Sequence, residues 1–171
     1  MSKLKNVKTL TTAGMFLALA SICGFFNLPI NQLVEIRFGS LVLAVSGSIL
    51  GPAVTAVVGM CSDIIAFVIK PTGPYFPGFT ISAAVSGLIF GLFLYKKEAT
   101  VWRIFLAVCV HTLVVGVCLN SIWLSILYEN AFLVVLSSRI VKELVMLPIN
   151  TVLLTVIVKS TRKVYSRKAH A

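Results

Sequence analysis

Four ionisable residues stand inside apolar runs, where a bare charge is costly: Asp63, Arg139, Lys142 and Glu143. A charge at the centre of a membrane-spanning helix costs roughly 2.5–3.5 kcal/mol on insertion scales, so such groups turn to one another, to a cavity or to a ligand. Arg139, Lys142, Glu143 and Met146 fall at helical offsets of zero, three, four and seven, which places them on one stripe. Two arrangements suit that stripe. In one, Arg139 and Glu143 form an internal ion pair while Lys142 reaches outward along its aliphatic stem. In the other, two cations and one anion leave net positive charge beside a pocket that would suit an anionic solute, and the cost of membrane charges favours this second arrangement. Asn120 and Trp123, three residues apart, share a face of another helix. The amide can donate and accept together, and the indole offers a flat wall next to it. Trp123 by itself would read as an interfacial anchor.

Two connecting segments carry further candidates. Pro71 to Thr80 reads PTGPYFPGFT, with three prolines stiffening a stretch that presents Tyr75, Phe76 and Phe79. Aromatics are costly to leave in water, so they cover the bilayer interface, the helix bundle or a flat ligand. Asn27 to Arg37 holds Asn31, Gln32, Glu35 and Arg37, a mixture suited either to lining a mouth or to a plain connector.

Other chemistry is missing. There is no GxxxxGK[ST] phosphate loop, no HExxH pair and no GxSxG elbow, so the chain encodes no ATPase and calls for no cofactor or metal. Ser86 with His111 is the nearest approach to an intramembrane hydrolase, but Ser86 lies in a small-residue packing motif and a lone membrane histidine reads as a hydrogen-bonded packing residue. Cys23, Cys61, Cys109 and Cys118 sit in apolar runs without a CxxC pair and read as buried small hydrophobes.

The elements that must position these groups are membrane helices. Of 171 residues, 58% are hydrophobic, and the mean hydropathy is +1.03. A span takes ~20 apolar residues, so the length allows about six. They are expected near Thr9–Phe26, Arg37–Leu50, Ala53–Ile69, Gly78–Tyr95, Val101–Leu127 and Ala131–Val158, the second short, forming one integral membrane domain over residues 1–171. Lys3, Lys5 and Lys8, then Lys96, Lys97 and Arg103, then Lys159, Arg162, Lys163, Arg167 and Lys168 cluster at span ends. Six crossings put all three clusters on one side, which the positive-inside rule makes cytoplasmic, together with both termini. The formal charge of +10 therefore points to anionic lipid rather than nucleic acid. The first 26 residues also have the basic and apolar parts of a signal peptide, with Ala18-Leu19-Ala20 as a cleavage pattern, but an uncleaved first span fits the even count. Residues 162–171 read as a short basic tail.

Small residues recur at helix-packing spacing. Ala44–Gly51 and Ala84–Gly91 both read AVSGxIxG, so Gly47 with Gly51 and Gly87 with Gly91 share faces where helices can approach closely. Gly51-Pro52 makes a tight turn. Gly14 with Ala18, and Ala20 with Gly24, form similar rows on the first span.

The stretch PTGPYFPGFT, the sequence LNSIW at Leu119 to Trp123 and the Arg139-Lys142-Glu143 stripe together resemble the folate-specific substrate-binding (S) components of energy-coupling factor (ECF) transporters, over nearly the whole chain. The resemblance implies an S-component-like six-helix bundle in the cell membrane that binds folate tightly. It also implies delivery of folate to a separate module of two ATPases and a transmembrane coupling protein, with the S component toppling to release its vitamin. Family members carry an AxxxA docking patch on the first helix, where this chain has Gly14 and Ala18. Folate has a flat pterin, an aminobenzoyl ring and a tail with two carboxylates. Trp123 with Tyr75, Phe76 or Phe79 is the expected ring sandwich, Asp63, Glu143 and Asn120 are the candidates for the pterin edge, and Arg37 and Arg139 those for carboxylates. An S component for another vitamin, or a small oligomeric channel or secondary transporter, is the alternative.

Overall fold

In the computed structural model, residues 7–25, 28–31, 34–36, 39–69, 75–98, 100–128 and 132–169 are described. Arg37, Gln32 and residues 71–74 of the proline-aromatic stretch lie outside them, while Asn31 and Glu35 fall in a short hairpin. The fold is an all-helical membrane bundle apart from that hairpin. Its helices are α1 (Val7–Phe25), α2 (Gly39–Leu50), α3 (Pro52–Ile69), α4 (Pro77–Leu94), α5 (Val101–His111), α6 (Asn120–Tyr128) and α7 (Phe132–Ala169). A π-helical segment, Thr112–Leu119, joins α5 to α6, so the three make one continuous span. Among the described residues, five segments are long and apolar enough to cross a bilayer, and α2 is a shorter sixth.

The second span is short, as expected. Its 12 helical residues cover about 18 Å at 1.5 Å each. Ahead of it, β1 (Leu28–Asn31) pairs antiparallel with β2 (Val34–Ile36), Leu28 opposite Ile36, with an irregularity between Pro29 and Asn31. Proline removes a helix donor here, and the hairpin supplies partners for backbone groups that a helix would otherwise satisfy. At the other extreme, the basic stretch from residue 162 continues α7 as helix to residue 169 instead of leaving it as a tail. Past Pro148 nothing in that sequence breaks a helix, and Lys and Arg are good helix formers.

Glycine decides how the helices meet. Gly51 has φ +90°, a left-handed angle that a side chain would strain, and Pro52 opens α3 directly after it, as the turn required. A Cβ on Gly47 would lie 2.8 Å from the Gly91 nitrogen, one on Gly87 2.6 Å from the Thr55 carbonyl, and one on Gly91 2.3 Å from the Pro52 Cα. The two AVSGxIxG runs are therefore the contact faces that seat α4 against α2 and α3. Helix α4 also packs on α5 and α6 and is central to the bundle.

The apolar core is concentrated toward one end. Leu50, Val54, Phe90, Leu94, Ile104, Val108, Leu154 and Val158 belong to it there, contributed by the C-terminal parts of α2 and α4, the N-terminal parts of α3 and α5 and the second half of α7, while Leu41 and Leu43 extend it toward the start of α2. Around that end lie the exposed basic residues Lys96, Lys97, Arg103 and Lys159. Lys97 Nζ donates to the Leu92 carbonyl (3.1 Å) at the C-terminus of α4, where a cation is favoured. The opposite end of the bundle is not filled.

Candidate functional site

A cavity of about 170 Å³ occupies that opposite end. Its walls come from the C-terminal parts of α1 and α3, the N-terminal parts of α2 and α4, the π-helical span and the middle of α7. Among the expected site residues, it brings together Asp63, Phe79, Asn120, Arg139 and Glu143. The rest of the α7 stripe, Lys142 and Met146, faces it too.

On the α7 wall, Arg139 and Glu143 are 7% and 9% exposed. Glu143 Oε1 accepts from Lys142 Nζ at 3.2 Å, and Arg139 Nη1 donates to the Gly116 carbonyl at 3.2 Å. Lys142 is thus turned into the site instead of snorkelling to water. Neighbours in a helix sequence do not normally face each other, but both long side chains bend into one hollow. The expectation of net positive charge also changes. Asp63 on α3 adds a second carboxylate to the lining, so the charged groups among the described lining residues cancel formally.

Asp63 is held from the start of α4. Thr80 Oγ1 donates to Asp63 Oδ2 at 2.9 Å, which leaves the Tyr75 hydroxyl, 3.1 Å from Thr80 Oγ1, as the donor to Thr80. This relay works because Thr80 lies in the first turn of α4, which begins at Pro77. Pro77 to Thr80 of the proline-aromatic stretch are therefore helical.

Its aromatics form a cluster beside the cavity. Phe76 lies 5.6 Å from Trp123 and 6.2 Å from Phe79 between ring centroids, and Tyr75 lies 5.0 Å from Phe67. Phe79 lines the cavity, whereas Tyr75, Phe76 and Trp123 are outside its lining. Trp123 packs over Gly78, where a Cβ would come within 2.6 Å of its ring, and its Nε1 donates to Ser82 Oγ at 3.1 Å. Trp123→Phe keeps a ring but removes that donor. It is expected to cost about 0.5–1.5 kcal/mol, the net worth of a buried hydrogen bond, read as a lower melting temperature.

Ser82 was not legible as a site residue in the sequence, and neither were Ser62 and Asn150, which also line the cavity. Serines in small-residue runs look like packing, and only the direction they point distinguishes them. Ser86 and His111, read as packing residues, line the cavity as well. His111 Nε2 lies 3.1 Å from Ser86 Oγ, and Ser86 gives its one hydrogen to the Ser82 carbonyl at 2.8 Å. His111 must then donate to Ser86, the reverse of what a general base needs to activate a serine. The histidine ring stacks on Phe90 at 4.8 Å.

Asn120 opens α6, its backbone N–H bonded to the Val115 carbonyl five residues back. Its Oδ1 is buried and takes no hydrogen bond among the described residues. The two small-residue rows of α1 separate. Gly24 packs on α3, where an added Cβ would sit 3.2 Å from the Ala66 Cβ, and Ala20 is buried. Gly14 and Ala18 are exposed, with nothing within 4 Å of a Cβ added to Gly14. The cysteines differ from expectation: Cys23, Cys61 and Cys109 are half-buried, Cys118 is exposed, and all four are free thiols.

The family model for the ECF transporter substrate-specific component matches residues 8–158. The chain belongs to the substrate-specific components of ECF transporters. This family is a transporter family and not one of enzymes. The chain is 41% identical over 124 residues to the "Folate transporter FolT" of Clostridium novyi (strain NT), covering 72% of each chain. It is 31% identical over 141 residues to the "Folate transporter FolT" of Leuconostoc mesenteroides subsp. mesenteroides, covering 79% of this chain and 76% of that one. A crystal structure of FolT bound with folic acid superposes with TM-score 0.84 at 26% identity, over 91% of this S component and 95% of the other chain.

Proposed function

We propose that this multi-pass membrane protein is the folate-binding subunit of an ATP-driven uptake system in the cell membrane. The observation that carries the reading is the unfilled, polar-walled end of a bundle whose solved counterpart holds folic acid. Engineered apolar cavities of about 150 Å³ take up benzene, so a 170 Å³ hollow suits one end of folate, in keeping with the flat pterin head. Asp63 and Asn120 are assigned to the pterin edge, which presents N–H donors and a carbonyl, while Glu143 stays paired with Lys142 at the cavity wall. The buried, unbonded Oδ1 of Asn120 supports a hydrogen bond there, because a buried acceptor left unmade is costly. Phe79 is the aromatic wall, backed by Phe76, Tyr75 and Trp123. Arg139 is assigned to ligand carboxylates, joined by Arg37, which lies outside the described residues.

The basic residues at the core-packed end support a cytoplasmic position for it and for both termini by the positive-inside rule, with the cavity opening outward. The exposed Gly14 and Ala18 face of α1 is the docking surface for the transmembrane coupling protein that works with two ATPases. Its lack of side-chain bulk supports close helix contact.

Tryptophan emission tests the reading. The protein has two tryptophans, and Trp102 is 66% exposed near the basic end, away from the cavity. Folate is expected to quench emission saturably in the wild type and in Trp102→Phe. No saturation at micromolar folate in a folded protein overturns the assignment. Uptake that proceeds without ATP and without the partner module would favour a self-sufficient transporter instead.

A further inference from the structure

At Gly47, Gly59, Gly87 and Gly91 an added Cβ would strike the backbone of a neighbouring helix, so those positions serve helix approach. Gly116 differs from them. The three atoms nearest a Cβ there all belong to the end of one side chain, Glu143 Cδ at 2.8 Å, Oε1 at 2.9 Å and Oε2 at 3.2 Å. The same residue's carbonyl receives Arg139 Nη1 at 3.2 Å, and Lys142 reaches Glu143 Oε1 at 3.2 Å. Gly116 lies within the π-helical segment, whose i to i+5 bonding continues to Asn120. Such segments are rare in helices and concentrate at functional sites.

We infer that Gly116 is a positioning residue for ligand selection: its bare Cα forms a seat that keeps the Glu143 carboxylate back against the π-helical span at the cavity wall. Seated there, the carboxylate stays beside Lys142 while the Gly116 carbonyl holds Arg139. A methyl group at 116 would push the carboxylate into the hollow, where it takes up volume and repels an anionic ligand. Because a flexible side chain can yield where backbone cannot, the substitution acts on binding and leaves the fold standing.

The inference rests on the folate reading, and a compensation experiment tests it. Folate affinity and melting temperature are measured for the full-length wild type, Gly116→Ala, Glu143→Asp and the double variant. Gly116→Ala is expected to melt close to wild type and to bind folate roughly tenfold more weakly, the scale of a like charge brought up to the ligand. Glu143→Asp draws the carboxylate back by one methylene, so the double variant is expected to bind more tightly than Gly116→Ala alone. A Gly116→Ala protein that binds like wild type or fails to fold overturns the inference. So does a double variant that binds no better than Gly116→Ala. Absence of folate binding by the wild type overturns the functional reading itself and this inference with it, which separates the two failures.

Discussion

Arg139→Met is expected to cost folate about 2–5 kcal/mol of binding, the usual loss when one member of a buried charge pair is truncated. That corresponds to roughly 30-fold to several-thousandfold in Kd. Arg139 is 7% exposed and lines the cavity from the middle of α7, so a ligand carboxylate held by its guanidinium, as proposed, would meet little competing water. Fork geometry allows two parallel hydrogen bonds to one carboxylate. Methionine keeps much of the volume, and replacing a buried charge by a hydrophobe of similar size is often neutral for stability. The bond to the Gly116 carbonyl that the fold loses is worth net about 1 kcal/mol. Affinity should therefore fall steeply while melting temperature moves little. Titration with folate and with a tail-less pterin checks the assignment, because only folate carries the tail carboxylates. An unchanged preference between the two ligands would remove Arg139 from that role.

Gly91→Ala is expected to do the reverse and damage the fold before it touches the ligand. The new Cβ would lie 2.3 Å from Pro52 Cα, 2.6 Å from Pro52 N and 2.8 Å from Pro52 Cβ. All three atoms belong to the rigid start of α3, directly after a left-handed Gly51, so none can step aside cheaply. Overpacking of this kind costs about 1–3 kcal/mol. At roughly 2–4 °C per kcal/mol for a chain of this size, the melting temperature should drop by roughly 2–12 °C. Gly14→Ala is the control, since nothing lies within 4 Å of its added Cβ. If Gly91→Ala melted with Gly14→Ala and the wild type, the glycine contact between α4 and α3 would not be a main determinant of the packing.

Much of this architecture is legible in the sequence because a bilayer leaves few choices. Apolar runs must be helical to satisfy their backbone, and charge collects at their ends. The glycines of AVSGxIxG could be read as contact faces because missing side chains have that one strong use between membrane helices. The stripe of Arg139, Lys142, Glu143 and Met146 was readable too, since helical spacing alone aligns it, and all four residues do line one cavity. Which residue each charge would meet was not readable. Glu143 took its sequence neighbour Lys142, and Arg139 took a backbone carbonyl on another span. Asp63 stands some 76 positions upstream of Arg139 in the chain, yet balances the same cavity.

Composition and spacing by themselves determined a six-span apolar chain with basic ends, a glycine-packed interior and a short inventory of intramembrane polar groups, because these follow from local periodicity and from the cost of exposing charge to lipid. Only the tertiary structure decided that the core closes at one end and leaves a cavity at the other. It alone turned Thr112–Leu119 into a π-helix with Gly116 under Glu143, and aimed Ser82, Ser86 and His111 inward. Those outcomes depend on how whole helices cross and rotate, and the direction of a side chain around its helix axis relative to five neighbours is not encoded in any local stretch.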